Sequence, residues 1–214
     1  MVIVGVAQLV RRQDRYSITV EDEFGVRHRL VVADAAVARR GLRVGAMIGG
    51  GELRSEAEEV GAEDLAVAAL VRRAHSVREM EMLLMRRGIS RARTASTVSR
   101  LAAQGLLDDA RFAADFARSR LIVRGASVWA LRRDLARKGV ERGLADAAIS
   151  AMMADGGVEE MDIVRREGRK KWRTLERLEP AVARRRLIAF LRRRGFGADA
   201  IRTLLGELRK EGTA

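Results

Sequence analysis

One short pattern closes a helix-like stretch at three places in this chain: Leu84-Met85-Arg86-Arg87-Gly88-Ile89, Leu135-Ala136-Arg137-Lys138-Gly139-Val140 and Leu191-Arg192-Arg193-Arg194-Gly195-Phe196. Each has a leucine, one further residue, two bases, a glycine and an apolar residue. The glycines at 88, 139 and 195 lie 51 and 56 residues apart, enough for two or three helices per interval. A chain built this way is constrained to repeat one structural unit, and repeat arrays serve more often as binding surfaces than as catalytic pockets.

Aligning the glycines sets the register. Met80 and Leu84, Leu131 and Leu135, and Leu187 and Leu191 occupy matched apolar positions before the glycine. Val98 and Leu101, Ile149 and Met152, and Leu205 and Leu208 continue the pattern after it. A further helix is expected upstream in each unit, over 64–74, 109–123 and about 159–178. Phe112 and Phe116, four residues apart, share one face of the second of these. The reading is mainly α: three tandem three-helix repeats, 63–107, 108–156 and 157–214, stacked in an elongated array, with a compact single bundle as the alternative.

Residues 1–62 read differently, as a small β-rich N-terminal extension and linker. The stretch 2–10 is rich in β-branched residues, and Tyr16, Ile18 and Val20 alternate with polar neighbours. Glu23-Phe24-Gly25 supplies a turn before 26–32, so an antiparallel meander is expected. One or two helical turns over 33–40 and a short strand over 44–48 should follow. Gly49-Gly50-Gly51 reads as a flexible boundary, with the acidic stretch 52–63 leading into the first long helix.

Composition narrows the function. With 48% hydrophobic residues in 214 the chain can bury a core. It has no cysteine, which excludes disulfides and thiolate metal sites and fits a reducing interior, and its two histidines, His28 and His75, are too few for most metal or histidine-base chemistry. No apolar run is long enough to span a membrane, and the first residues lack the charge and cleavage pattern of a secretory leader, so a cytoplasmic chain is expected; it is also expected to be a monomer without cofactor. There is no phosphate-binding glycine loop, no nucleophile elbow and no carboxylate cluster, so the chain reads as a non-enzyme.

The net charge of +13 is informative through its position. Residues 1–62 carry 9 bases and 9 acids, whereas 63–214 carry 33 and 20; the three repeats hold +4, +2 and +7. A surplus confined to the repeats suggests a polyanionic partner, although arginine on any solvated face would produce part of it. The densest features are Arg165, Arg166, Arg169, Lys170, Lys171 and Arg173 on one helix, and Arg184-Arg185-Arg186 with Arg192-Arg193-Arg194 on the next. Arg185 and Arg192 are two helical turns apart, opposite Leu187, Ile188 and Leu191, which gives an apolar stripe and a wide cationic face suited to phosphate oxygens.

Several conspicuous residues have structural explanations. Glycine just past a helix caps its last carbonyls in the left-handed conformation, and bases there oppose the helix dipole. Asp108 before Asp109, and Ser76 and Ser127 before the middle helices, read as N-caps rather than as a metal pair or nucleophiles. Trp129 and Trp172 are expected to pack between helices rather than stack on bases.

The run Leu106-Leu107-Asp108-Asp109-Ala110-Arg111-Phe112-Ala113, followed by Arg118, Arg120, Gly125, Leu131, Leu135, Lys138-Gly139-Val140 and Gly195-Phe196, resembles the RecX family of recombination regulators. The likeness takes in Arg73, Ser76, Glu79, Leu84 and Gly88-Ile89, and so extends over about 64–210, while 15–52 resembles the strand-rich extension of some members. Met80, Met85 and the arginine-rich third unit depart from the pattern. The resemblance implies a regulator without catalytic activity that binds the RecA filament on DNA, single- or double-stranded and without sequence preference, and inhibits its recombinase and ATPase activity in DNA repair and recombination. The contact candidates are Arg118, Arg120, Arg124, Arg132, Arg133, Arg137 and Lys138 in the second unit, and Arg169, Lys170, Lys171, Arg173, Arg185, Arg186, Arg192, Arg193 and Arg194 in the third. A stand-alone basic DNA-binding protein without a RecA partner is the alternative.

Overall fold

The computed structural model of the chain describes residues 1–156 and 159–211; the repeat boundary expected at 156/157 falls partly outside the described residues. The chain folds as two compact units, one of Met1–His75 with Met80–Leu107, the other of Ser76–Glu79 with Asp108 onward.

The first unit opens with a three-stranded antiparallel sheet in the order β1-β2-β3, formed by β1 (Val2–Leu9), β2 (Arg12–Glu21) and β3 (Arg27–Ala33). Helix α1 (Asp34–Arg40) ends at Gly41 in the left-handed conformation. The strand expected over 44–48 is reduced to a single bridge, Val2 to Met47, because Gly45 takes a φ of 86° and breaks the extended run. Helix α2 (Gly50–Arg72) then starts earlier than its apolar spacing suggests, so the triple glycine opens the helix instead of separating two regions. The reason is packing: Leu53 is fully buried in the core of the sheet with Ile3, Ile18, Val20 and Val32, and Gly50 leaves room for the side chain of Met1. Burial of this kind outweighs the helix penalty of glycine, about 1 kcal/mol per residue.

The acids of α2 are used within the unit. Glu56 takes Arg39 at 2.9 Å and Arg40 at 3.0 Å, and Glu59 receives Arg93 at 3.5 Å and also Arg100. Arg93 and Arg100 belong to α4 (Arg91–Ala103), which follows α3 (Val77–Arg86). Two of the first repeat's eight bases, Arg93 and Arg100, are therefore neutralised by the acidic stretch before it.

The second unit holds two three-helix segments on one continuous core. The second segment of the chain comprises α5 (Asp109–Arg118) with a π-helical turn (Ser119–Val123), α6 (Val128–Arg137) and α7 (Arg142–Gly156). The third comprises α8 (Glu160–Arg173), α9 (Pro180–Arg193) and α10 (Ala198–Glu211). Leu131 and Leu135 of α6 and Leu187 and Leu191 of α9, the positions picked out by the glycine register, are all fully buried. Phe112 and Phe116 share a face with ring centroids 5.9 Å apart. The caps form as their residue types require: Asp108 accepts from the Arg111 N–H at 2.9 Å, Ser76 from Glu79 at 3.1 Å and Ser127 from Ala130 at 3.1 Å.

Candidate functional site

The three signature glycines close α3, α6 and α9 in one geometry. Gly88, Gly139 and Gly195 have φ of 84°, 81° and 86°. The amides of Ile89, Val140 and Phe196 reach back to the carbonyls of Leu84, Leu135 and Leu191 at 3.1, 3.1 and 3.2 Å, the six-to-one bond of a Schellman cap. The glycine and the apolar residue are thus fold elements, and only the bases are free to differ in use.

They do differ. In the second three-helix segment six of the nine cations have an internal acid partner. Asp134 of α6 is 7% exposed and gathers Arg120 at 2.6 Å, Arg137 at 2.7 Å and Arg133 at 3.4 Å. Arg132 bonds Asp146 at 2.7 Å, and this hydrogen bond holds the Asp146 carboxyl below its usual range. Lys138 pairs with Glu79 at 2.7 Å and lies 5.5 and 5.2 Å from the ring centroids of Phe112 and Phe116. Arg118 and Arg124 are exposed and have no acid partner for their side chains among the described residues. Both flank the π-helical turn, a distortion that recurs at functional positions.

In the third segment the cations divide by helix. Along α8, Arg165 bonds Glu207 at 3.0 Å, which raises its already high pKa, and Arg169 bonds Glu211 at 2.5 Å. Lys170 and Arg173 are exposed without an acid, and Lys171 lies 5.8 Å from the Phe190 ring centroid. Helix α9 begins on a Glu179 cap with Pro180 in its first turn, and its inner stripe of Ala183, Leu187 and Leu191 is buried. On its outer side Arg184, Arg185, Arg186, Arg192 and Arg193 are all exposed, and none has an acid partner among the described residues. Arg185 and Arg192, and likewise Arg186 and Arg193, are seven residues apart and lie nearly in line along the helix.

Arg194 belongs to the interior instead. Its guanidinium bonds Glu167 at 2.7 Å and the carbonyls of Arg124 and Gly125 at 2.8 and 3.2 Å, and it lies 4.7 Å from the Phe190 ring centroid. The candidates therefore separate into a bonded set, Arg120, Arg132, Arg133, Arg137, Lys138, Arg169 and Arg194, and an unpaired set made up of Arg118, Arg124, Lys170, Lys171, Arg173, Arg185, Arg186, Arg192 and Arg193.

A cavity of about 530 Å³ is lined by Trp172, Pro180, Arg184, Arg202, Leu205, Gly206, Leu208 and Arg209. Arg184 and Arg202 bring charge to its lining, and the spacing of Arg202, Leu205 and Arg209 along α10 was the available sequence signal for it. Trp172 lines this cavity as a half-buried ring. Trp129 departs from the expected interhelical packing: it is 58% exposed, with Arg133 at 4.9 Å over its ring, because its inner edge rests on Gly195. Among the described residues no group of acids and histidines could hold a metal ion, and no helix is long and apolar enough to cross a membrane.

Residues 108–149 match the RecX second three-helix domain and residues 159–205 the RecX third three-helix domain. The chain is similar to the protein named regulatory protein RecX of Halorhodospira halophila, 36% identical over 141 residues that cover 65% of this chain and 83% of that one. The RecX of Chlorobium phaeobacteroides is 30% identical over 159 residues, covering 72% of this chain and 97% of the relative. A crystal structure of a regulatory protein RecX superposes with a TM-score of 0.72 at 15% identity, covering 96% of this chain and 98% of the other. RecX from Lactobacillus salivarius gives 0.59 at 16% identity, covering 71% and 97%; these two likenesses concern the fold alone.

Proposed function

The chain belongs to the RecX family of regulatory proteins, and from that premise we propose that it binds the RecA–DNA filament and lowers its ATPase and recombinase activity, acting as a regulator and not as an enzyme. The observation that carries the reading is the outer side of α9, where five exposed arginines stand without any described acid while the inner side is committed to the core. Charges left unpaired in this way keep their full attraction for phosphate oxygens, and α9 itself carries no acid from Pro180 to Arg193 that would repel a polyanion.

The unpaired residues Arg185, Arg186, Arg192 and Arg193, with Lys170, Lys171 and Arg173, are the primary contact set of this proposal. Arg118 and Arg124 provide a second patch beside the π-helical turn. The bonded candidates contribute to the field and hold the scaffold. A titration of the purified protein into RecA on single-stranded DNA should lower ATP hydrolysis at or below equimolar ratio. A flat response across that range refutes the proposal.

The same arginine face also favours a second reading, direct DNA binding without RecA. It predicts strong affinity for DNA alone that falls steeply between two salt concentrations. ATPase inhibition without such affinity would place the primary contact on the recombinase.

A further inference from the structure

We propose that the C-terminal end of α3, Arg86-Arg87-Gly88-Ile89, is a docking socket for the N-terminus of a helix from a partner protein, one that opens with a serine or threonine cap and carries an acid three residues later. The evidence is internal to the chain: its two other signature ends are each filled by a serine-capped helix N-terminus, and at the Lys138 end that helix carries the acid three residues after its serine.

Ser76, the cap of α3, donates its hydroxyl to the carbonyl of Lys138 at 2.5 Å, at the end of α6. Ser127, the cap of α6, does the same to the carbonyl of Arg194 at 3.0 Å, at the end of α9. Each hydroxyl is used twice, accepting from its own helix and donating to the facing one. The next amide is taken as well: Val77 donates to Asp109 at 2.9 Å and Val128 to Glu160 at 3.0 Å. The base before each glycine then finds an acid, Lys138 with Glu79 at 2.7 Å and Arg194 with Glu167 at 2.7 Å. Glu79 is the third residue after Ser76 and bonds back to the Ser76 amide at 3.4 Å, so the plug at Lys138 is a Ser-x-x-Glu capping box.

The glycines allow the close approach. A Cβ at Gly139 would run into the side chain of Arg78, and one at Gly195 would lie 2.6 Å from Ser127 Oγ and 2.9 Å from the Trp129 ring. At Gly88, in the same capped conformation, nothing described lies within 4 Å of that position. Arg86 and Arg87 are exposed and have no acid partner among the described residues; Arg86 bonds only the carbonyl of Met82, at 3.2 Å. The same glycine-capped end is built three times, and among the described residues two of the three hold a serine-capped helix.

A second copy of the chain does not supply the plug. Twelve residues before the glycine, where α3 and α6 have their cap serines, α9 has Ala183, buried inside a helix that starts one turn earlier at Glu179 and Pro180. Proline has no amide to donate, and Ser76 and Ser127 are engaged. The occupant is therefore a helix of another protein, with chemistry copied from Ser76–Glu79. The inference rests on the proposed regulatory reading only for which protein that is.

The test is an ¹⁵N-correlation titration of the full chain with a synthetic peptide reproducing residues 75–84, alongside the same peptide with Ser76→Ala. The expected result is a saturable shift of the Gly88 and Ile89 amides, with Gly139 and Gly195 unmoved. The alanine peptide should bind about two- to tenfold more weakly, the worth of one hydrogen bond, and Arg87→Glu in the chain should weaken binding of the parent peptide. Absence of a selective shift at millimolar peptide, equal shifts at all three glycines, or equal binding of the two peptides would overturn the proposal. Peptide binding at Gly88 with a flat RecA ATPase titration would instead keep the socket and remove the RecA reading.

Discussion

Arg193 and Arg194 are adjacent, carry the same charge and close the same helix, yet they should respond oppositely to replacement. Arg194→Ala removes three hydrogen bonds, to Glu167 and to the carbonyls of Arg124 and Gly125, and leaves Glu167, only 9% exposed, with Arg166 at 3.2 Å as its remaining partner. Loss of the partner of a largely buried carboxylate costs about 3–5 kcal/mol; the partial exposure of the Arg194 side chain lowers the expectation to about 2–3 kcal/mol. In urea that moves the unfolding midpoint of the second unit down by about 1 M. Arg193→Ala removes an exposed, unpaired side chain and should stay within about 0.5 kcal/mol of the parent. DNA affinity, measured where both variants are folded, should fall for Arg193→Ala. Equal stability of the two variants would refute the division of the cations into bonded and unpaired sets, and with it the placing of the contact face on α9.

Replacing Arg185, Arg192 and Arg193 together by Gln should leave the fold intact and reduce the slope of log affinity against log salt by about 2.7 for duplex DNA, if each neutralises one phosphate. Asp134→Asn should destabilise the second unit by about 1–3 kcal/mol, read by thermal unfolding, because three arginines converge on that buried carboxylate. Gly88→Ala and Gly195→Ala both pay about 1 kcal/mol for the left-handed backbone, but Gly195→Ala should lose a further ~1–3 kcal/mol through its clash with Ser127 and Trp129. The Asp146 carboxyl is held below its usual pKa by the Arg132 hydrogen bond, so its stabilisation is complete above the unfolded carboxylate pKa and is lost as pH falls through the folded value. Parent and Asp146→Asn unfolding midpoints should therefore differ at pH 7 and approach each other as pH falls below the ordinary carboxylate range; a constant gap would contradict the assigned cause.

The helical register was legible because it depends on local chemistry. A glycine past the last turn, a serine or aspartate before the first, and leucines four apart each act within a few residues, and Gly139, Ser127, Asp108 and Leu131 are all found in those roles. What stayed hidden depends on partners far away in sequence. Nothing near Ser127 indicates that its hydroxyl reaches a carbonyl 67 residues on, and nothing near Gly50 indicates that Leu53 is drawn into a sheet, carrying helix α2 back over Gly50 and Gly51. Trp129 is exposed for the same reason, since its packing partner is the end of another helix.

The base pairs of the signature show how one local motif acquires two uses. In α6, Asp134 sits three residues before Arg137 with its carboxylate buried, and it collects the cations of its own segment. At the corresponding place in α9, five residues before the glycine, stands Phe190, which offers a ring to Lys171 and Arg194 but no countercharge. The acids that do serve the third segment, Glu167, Glu207 and Glu211, lie on α8 and α10 and are engaged by Arg165, Arg166, Arg169 and Arg194. Arg192 and Arg193 are thereby left unpaired on the outer side. The substitution of an aromatic ring for one buried carboxylate leaves α9 a cationic face where α6 gathers its arginines on Asp134; the net charge rises from +2 in the second repeat to +7 in the third, and the bases of α9 that lack a carboxylate are part of that difference.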